Sequence, residues 1–195
     1  MSFTIARSID DALAALAKGA RPVAGGSDLV VAARHGVNPL PTDLVAIDRV
    51  RELATIAVSD RGCVIGAGVT HATLMTDETV AGTYSAVADA SALVGSPATR
   101  NVGTLGGNVM NASPAMDTGA PLVVLGATVE LQSHQGSRQL PIQDLWTGPG
   151  ATVASSDELC TAIHLPAMPA RASSCLLYTS PSPRDATLSR MPSSA

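Results

Sequence analysis

Aromatic side chains are almost missing from this chain. They make up 2% of its 195 residues, against a hydrophobic content of 46%. A core can still form, but Ala, Val and Leu must pack it. Cysteine is also scarce. The three cysteines, at 63, 160 and 175, are too few and too scattered for a disulfide framework or a CxxC metal site, so a reducing cytoplasm is the default expectation. There is no excess of basic charge: the formal net charge is −4, which argues against a nucleic-acid partner. No run of about 18 apolar residues exists, so no membrane span is expected. Met1-Ser2-Phe3-Thr4 has no basic region leading into an apolar stretch and does not read as a signal peptide. Neither G-x-G-x-x-G nor a P-loop occurs, and no internal repeat at a fixed period is evident.

What the chain does have is a dense polar, glycine-rich stretch from Pro97 to Asp117, P-A-T-R-N-V-G-T-L-G-G-N-V-M-N-A-S-P-A-M-D. Gly103, Gly106 and Gly107 let a ligand approach the main chain closely. Thr104, Asn108, Asn111 and Ser113 add small donors and acceptors, and successive N–H groups in such a turn can form a concave anion site. The same composition also suits a polar loop of turn residues. A second stretch, Arg21 to Leu29, reads as a short strand, a Gly25-Gly26 turn and a helix start with Ser27 or Asp28 as N-cap. Free N–H groups at such a helix start attract phosphate.

A-G-G-S-D-L at 24–29 and R-N-V-G-T-L-G-G-N-V-M-N-A-S-P-A-M-D at 100–117 closely resemble the two flavin-binding segments of FAD subunits of molybdenum hydroxylases. That group includes the medium subunits of xanthine dehydrogenase and aerobic carbon monoxide dehydrogenase. The resemblance continues in D-L-W-T-G-P-G at 144–150 and E-L-C-T-A-I-H-L-P at 158–166, and covers roughly residues 1–170. It implies an FAD cofactor and an oxidoreductase subunit with no catalytic side chain and no metal ligand of its own. By this resemblance Ala24, Gly25, Gly26 and Ser27, followed by Asp28, line the pyrophosphate. Thr104, Gly106, Gly107, Asn108 and Asn111 approach it and the adjoining flavin. Asp117 accepts a hydrogen bond from a ribityl hydroxyl, and Leu165 presses on the ring. From position alone, Asp117 could equally cap the following helix and Leu165 could be core.

The resemblance also implies partners. Four cysteine ligands are needed for a [2Fe–2S] cluster, so the clusters belong to a small [2Fe–2S] subunit and the molybdenum to a molybdopterin-containing large subunit. Electrons would pass through FAD to an acceptor such as NAD or a quinone. Two other readings stand beside it: a different flavoenzyme with a related two-lobed FAD fold, such as an oxidase or a reductase of the UDP-N-acetylmuramate type, and a non-enzymatic nucleotide-binding module.

The pattern predicts an α+β fold with two lobes: a small α/β N-terminal lobe over 1–49 and a larger lobe on an antiparallel sheet over 50–170. Helices are expected from Ser8, over Asp28–Arg34, after Thr70, over Tyr84–Val94 and over Thr118–Leu125. Strands are expected at Arg21–Ala24, Leu44–Ile47, Ala54–Val58, Cys63–Ala67, Thr128–Gln132, Arg138–Ile142 and Leu159–Leu165. His71 falls in a helix first turn, with a solvated or capping role expected. Residues 171–195 are expected to be a disordered tail. From Cys175 the Ser/Pro-rich text resembles a translated sequencing adapter, so it is expected to add no core and no cofactor contact. Related subunits carry a further C-terminal domain where this text begins.

Overall fold

The computed structural model describes residues 2–36, 39–169 and 172–176. The first strand, β1 (Ser2–Ile5), leads into helix α1 (Ile9–Leu16), strand β2 (Arg21–Val23), helix α2 (Ser27–Arg34) and strand β3 (Asp43–Ala46). These strands form a three-stranded sheet in the order β1-β3-β2, with both pairings parallel. Strand β1 was not expected from sequence; its side chains are exposed and it is four residues long, so the alternation in Ser2-Phe3-Thr4-Ile5 has little length in which to show.

Helix α1 follows its sequence signals closely. Ser8 caps it by accepting from the Asp11 N–H, and the Asp11 carboxylate reaches back to the Arg7 N–H. At the other end Gly19 adopts φ +89, and the N–H groups of Gly19 and Ala20 bond to Leu16 and Ala15, closing the helix with a left-handed turn. Leu13 and Leu16 are buried, at about 1.5–3 kcal/mol each. They pack with Val45, Val50, Leu53 and Leu159, so this small core is shared between the two lobes.

The second lobe rests on a five-stranded sheet, β4-β5-β10-β6-β7, with every pairing antiparallel. Strands β4 (Ile56–Ser59) and β5 (Gly62–Gly66) are a hairpin, as are β6 (Thr128–Ser133) and β7 (Gly136–Pro141). A small ribbon, β8 (Trp146–Gly148) with β9 (Ala151–Thr152), was not anticipated. The central strand β10 (Leu159–Pro166) is buried nearly throughout, including Leu165, and ends where Pro166 was expected to end it. The fold is therefore the expected α+β arrangement, a small parallel unit beside a larger antiparallel one.

Six helices lie between β5 and β6: α3 (His71–Leu74), α4 (Glu78–Thr83), α5 (Ser85–Leu93), α6 (Pro97–Val102), α7 (Leu105–Asn111) and α8 (Gly119–Val124). The polar reading of 97–117 as a loop is corrected here. Ser96 caps α6 by accepting from the Thr99 N–H, with Pro97 at its first turn, and Thr104 caps α7 by accepting from the Gly107 N–H. The stretch is two short capped helices, with its irregular parts confined to their junction and to 112–118.

Of the expected tail, Cys175 is exposed and the Leu176 N–H donates to Asp89. Residues 177–195 lie outside the described residues.

Candidate functional site

The two glycine-rich stretches meet. A Cβ on Gly25 would overlap the Val102 carbonyl, and one on Gly103 would come within 3.8 Å of the Ser27 hydroxyl. The turn after β2 thus sits directly on the α6–α7 junction, across the boundary between the lobes. The junction is itself pinned to the segment after β5. Gly106 and Leu105 donate to Ala67 (2.9 Å) and Val69 (3.0 Å), and the His71 N–H donates to Gly103 (3.0 Å).

The glycines have different jobs. Gly26 adopts φ +68 and is the N-cap of α2, with no side chain closing the first turn. The expected Ser27 or Asp28 cap is corrected: both lie inside the helix, and Gly26 alone tolerates the left-handed cap conformation. The N–H groups of that turn therefore point outward with no capping side chain over them, and the helix dipole adds partial positive charge. Gly106 is needed for packing, since its Cβ would lie 2.7 Å from the Ala67 carbonyl oxygen. Gly107 is exposed and meets only the Thr104 hydroxyl, at 3.0 Å. None of Gly103, Gly106 and Gly107 has a positive φ. Their value is close approach, not unusual backbone.

A cleft of about 360 Å³ opens between the lobes, walled by Ala24, Gly25 and Thr104 together with Ile47, Asp48 and Val102. It brings together parts of both stretches. The second half of α7 continues from it. The Asn108 side-chain oxygen accepts from Thr118 at 2.5 Å, which fixes the amide group. Asn111 and Asp117 are partly buried, and the turn after α7 carries Ala112 at φ +49, braced by the Gly150 N–H on its carbonyl and by the Trp146 indole N–H on Val109. Leu165 lies apart from this surface, 2% exposed in the core of the second lobe and paired with Cys63. Sequence reading missed the walls formed by Ile47, Asp48 and Val102. The available signal for Ile47 and Asp48 was their position just past a strand end, where a parallel sheet offers ligands its carboxyl edge; Val102 closes α6.

Thr118 is fully buried, so its hydroxyl has no solvent alternative. A Thr118→Val variant is expected to lose about 0.5–1.5 kcal/mol of stability, the net value of one hydrogen bond. Urea melts check this, and a loss under the lower bound means the bond does not matter.

His71 corrects its expectation. It is neither solvated nor a cap: it is 1% exposed, with Nδ1 3.5 Å from the Ser91 hydroxyl and its ring edge against Gly103. Burial depresses its pKa to about 4; the Asp117 charge opposes that and Arg100 reinforces it. The folded pKa lies below the unfolded 6.5, so the unfolded chain binds the extra proton first. Stability from this group is complete above 6.5 and is lost as pH falls toward about 4. Wild type is expected to lose about 0.7 kcal/mol more than His71→Asn over the first pH unit below neutrality. Parallel denaturant curves test it; identical slopes for the two proteins contradict it.

The donor set suits a phosphate-bearing ligand: an uncapped helix start, glycines at the approach and neutral amides beyond. Among the described residues, no cluster of His, Cys, Asp or Glu could hold a metal ion. Cys63 and Cys160 are buried, and burial raises their thiols to about 11 and about 12, which disfavours the thiolate that a metal ligand needs.

The comparisons agree with this geometry. Residues 1–168 match the family described as FAD binding domain in molybdopterin dehydrogenase. The chain belongs to this family. It is 34% identical over 170 residues to the 6-hydroxypseudooxynicotine dehydrogenase complex subunit alpha of Paenarthrobacter nicotinovorans, covering 86% of this chain and 57% of that protein. It is 32% identical over 171 residues to the xanthine dehydrogenase FAD-binding subunit of Escherichia coli O157:H7, covering 86% of this chain and 58% of that one. Among solved structures it is similar to a chain of the reconstituted CO dehydrogenase from Oligotropha carboxidovorans, with a TM-score of 0.83, 32% identity and coverage of 87% and 60%. The chain thus spans under two thirds of the length of these relatives.

Proposed function

We propose that this chain is the FAD-binding portion of a molybdenum hydroxylase, seated beside a molybdopterin-containing large subunit and a [2Fe–2S] small subunit. It takes electrons from the clusters and passes them through FAD to an acceptor such as NAD or a quinone, in the cytoplasm. The observation that carries the reading is the meeting of the uncapped, glycine-led start of α2 with the Thr104–Gly107 turn. The N–H groups of 27–29 would hold the pyrophosphate from the first lobe, with Ala24, Gly25 and Gly26 leaving room for it. Asp28 sits in the same first turn but is exposed, so its carboxylate can turn to water. Thr104 and Gly107 would close the pyrophosphate from the second lobe, with Gly106 holding their turn against Ala67. Asn108, held by Thr118, and Asn111 would face the flavin half, and Asp117 its ribityl hydroxyls. Leu165 would act from behind as core support. FAD, when bound, supplies the capacity to take up and release electrons singly or in pairs; the chain supplies position, hydrogen bonds and exclusion of water.

The relatives named above are subunits of dehydrogenases, and that supports the multi-subunit part of the reading. The test is direct. The purified full chain is expected to be yellow, or to take up added FAD with quenching of flavin fluorescence, and to copurify with the two partner subunits when all three genes are expressed together. A colourless chain that leaves FAD fluorescence unchanged overturns the proposal.

A further inference from the structure

Resting on the FAD reading above, we infer that His71 is a proton-linked counter-charge for the pyrophosphate, neutral in the chain alone and protonated when the dianion is seated. Three observations lead there. The first is position. The His71 ring carbon Cδ2 lies 3.4 Å from the place a Gly103 Cβ would occupy, and the Ser27 hydroxyl lies 3.8 Å from the same place. The ring therefore stands directly behind the α6–α7 junction, close to the first residue of α2. The main chain fixes it there. Thr70 pairs with Thr104 in an antiparallel bridge, and the His71 N–H donates to Gly103. Nδ1 faces Ser91 on α5, whereas Nε2 is bonded to Cδ2 and so belongs to the ring edge that meets the junction.

The second is the charge of the cleft. Among the described residues that wall it, Asp48 is the one charged side chain. The first turn of α2 adds the carboxylate of Asp28, and the basic residue of that helix, Arg34, lies in its last turn. Arg7, Arg49 and Arg51 wall the adjoining cavity instead. Arg100 is on the His71 side, and its Nη1 donates to the Val94 and Gly95 carbonyls. A dianion in the cleft meets N–H groups and a helix dipole worth roughly half a unit charge. Most of its charge is left unmatched. The third is burial. Protein groups alone bury His71, so a seated cofactor cannot desolvate it further and acts on it only through its charge. Asp117 and Arg100 act on the ring with opposite sign and are present either way. Asp28 is exposed on α2, and Asp89 on α5 is exposed and accepts from the Leu176 N–H. The pyrophosphate adds two negative charges on the junction side, and nearby negative charge favours the imidazolium. Burial holds the His71 pKa at about 4 in the chain alone, and the dianion moves it up. With Nδ1–H on the Ser91 hydroxyl, Nε2 takes a proton from the buffer, and no bond of the cofactor changes. Proton and cofactor then strengthen each other by the same factor.

The experiment uses the full chain and FAD itself. FAD affinity is measured by fluorescence from about pH 7 down to about pH 5 in wild type and in His71→Phe, which keeps a ring in place and cannot titrate. Calorimetric titration in two buffers of different ionisation heat counts the protons taken up with FAD. Wild type is expected to bind FAD roughly five- to tenfold tighter at the lower pH, the linkage result of a higher pKa in the bound state, and to take up a large part of one proton there. His71→Phe is expected to give a flat profile and to lose most of that uptake. The His71 ring, followed by NMR in wild type, is expected to titrate at higher pH with FAD than without it. Equal FAD affinity of wild type across the range overturns the inference, and so does a His71→Phe profile as steep as that of wild type. Should the variant fail to fold, the NMR titration of wild type decides alone, and a His71 pKa that FAD leaves unmoved or lowers overturns the inference. A wild-type chain that takes no FAD at any pH overturns the FAD reading itself, a result distinct from a chain that holds FAD with no dependence on pH.

Discussion

A Gly25→Val variant is expected to lose FAD by about a hundredfold or more, which corresponds to roughly 3 kcal/mol. The added Cβ would overlap the Val102 carbonyl, a backbone atom that no rotamer change can move aside. Relief requires the turn after β2 to lift from the α6–α7 junction. That separates the two stretches whose meeting forms the proposed pyrophosphate site. Two companion variants show that the loss belongs to the site. Gly106→Val is expected to be as damaging, but through stability: its Cβ would press on Ala67 in the core, so the melting temperature falls along with any binding. Gly107→Ala is expected to do the reverse. Gly107 is exposed inside α7 with only the Thr104 hydroxyl nearby, at 3.0 Å, so the cap must shift slightly and this offsets part of the about 0.5–1 kcal/mol that alanine brings inside a helix, leaving stability close to wild type. Its methyl group would still stand in the approach to the cofactor and weaken FAD. Flavin titration and thermal melts on the three proteins separate the cases. Retention of wild-type FAD affinity by a folded Gly25→Val chain would falsify the proposed site.

The contrast among these glycines shows what sequence could and could not carry. The start of α1 was legible because Ser8 and Asp11 are a local capping signal, and its end because Gly19 permits the left-handed turn. Strand β10 was legible because a run such as Leu159–Leu165, buried on both faces, has few alternatives once Pro166 bounds it. The helices α6 and α7 were read as a loop because Gly106, Gly107, Asn108 and Asn111 are poor helix formers. Their helicity comes from tertiary packing: Gly106 lies on Ala67, and the α6–α7 junction is bonded to Val69 and His71. Ser96-Pro97 was the cue that could have revealed α6. His71 was misplaced for a related reason. Thr70 correctly announced a helix start, but nothing local says that α5 brings Ser91 over the same turn or that Gly103 lies against the ring. The binding segments were legible through their resemblance to a family. The walls between them, Ile47 and Asp48, are generic at a strand end and gain meaning only from the cleft they share.

Asp117→Ala is expected to loosen FAD roughly ten- to a hundredfold, from the 1.5–3 kcal/mol that a hydrogen bond to a charged group is worth. The proposed role is to accept from a ribityl hydroxyl, with no acid–base chemistry. Its position supports this. Asp117 follows Pro114 at the far end of the glycine-rich stretch, a full helix beyond Thr104, so its charge is kept away from the pyrophosphate. The competing role is a cap on α8. The cap residue of α8 is Thr118, in helical conformation and with no side-chain cap bond, and its hydroxyl is committed to Asn108. The two roles leave different signatures. An acceptor of a sugar hydroxyl keeps part of its value in Asp117→Asn, which retains one oxygen, so FAD affinity should fall in the order wild type, Asn, Ala. A cap would be served equally by Asn, and its removal would appear in the melting temperature of the FAD-free chain. In either role the carboxylate supports the protonated form of His71, so Asp117→Ala should carry the His71 pKa still lower. Titrating FAD into both variants and melting them without FAD together decide the matter. FAD affinity identical in wild type and Asp117→Ala ends the ligand role, whatever the melts show.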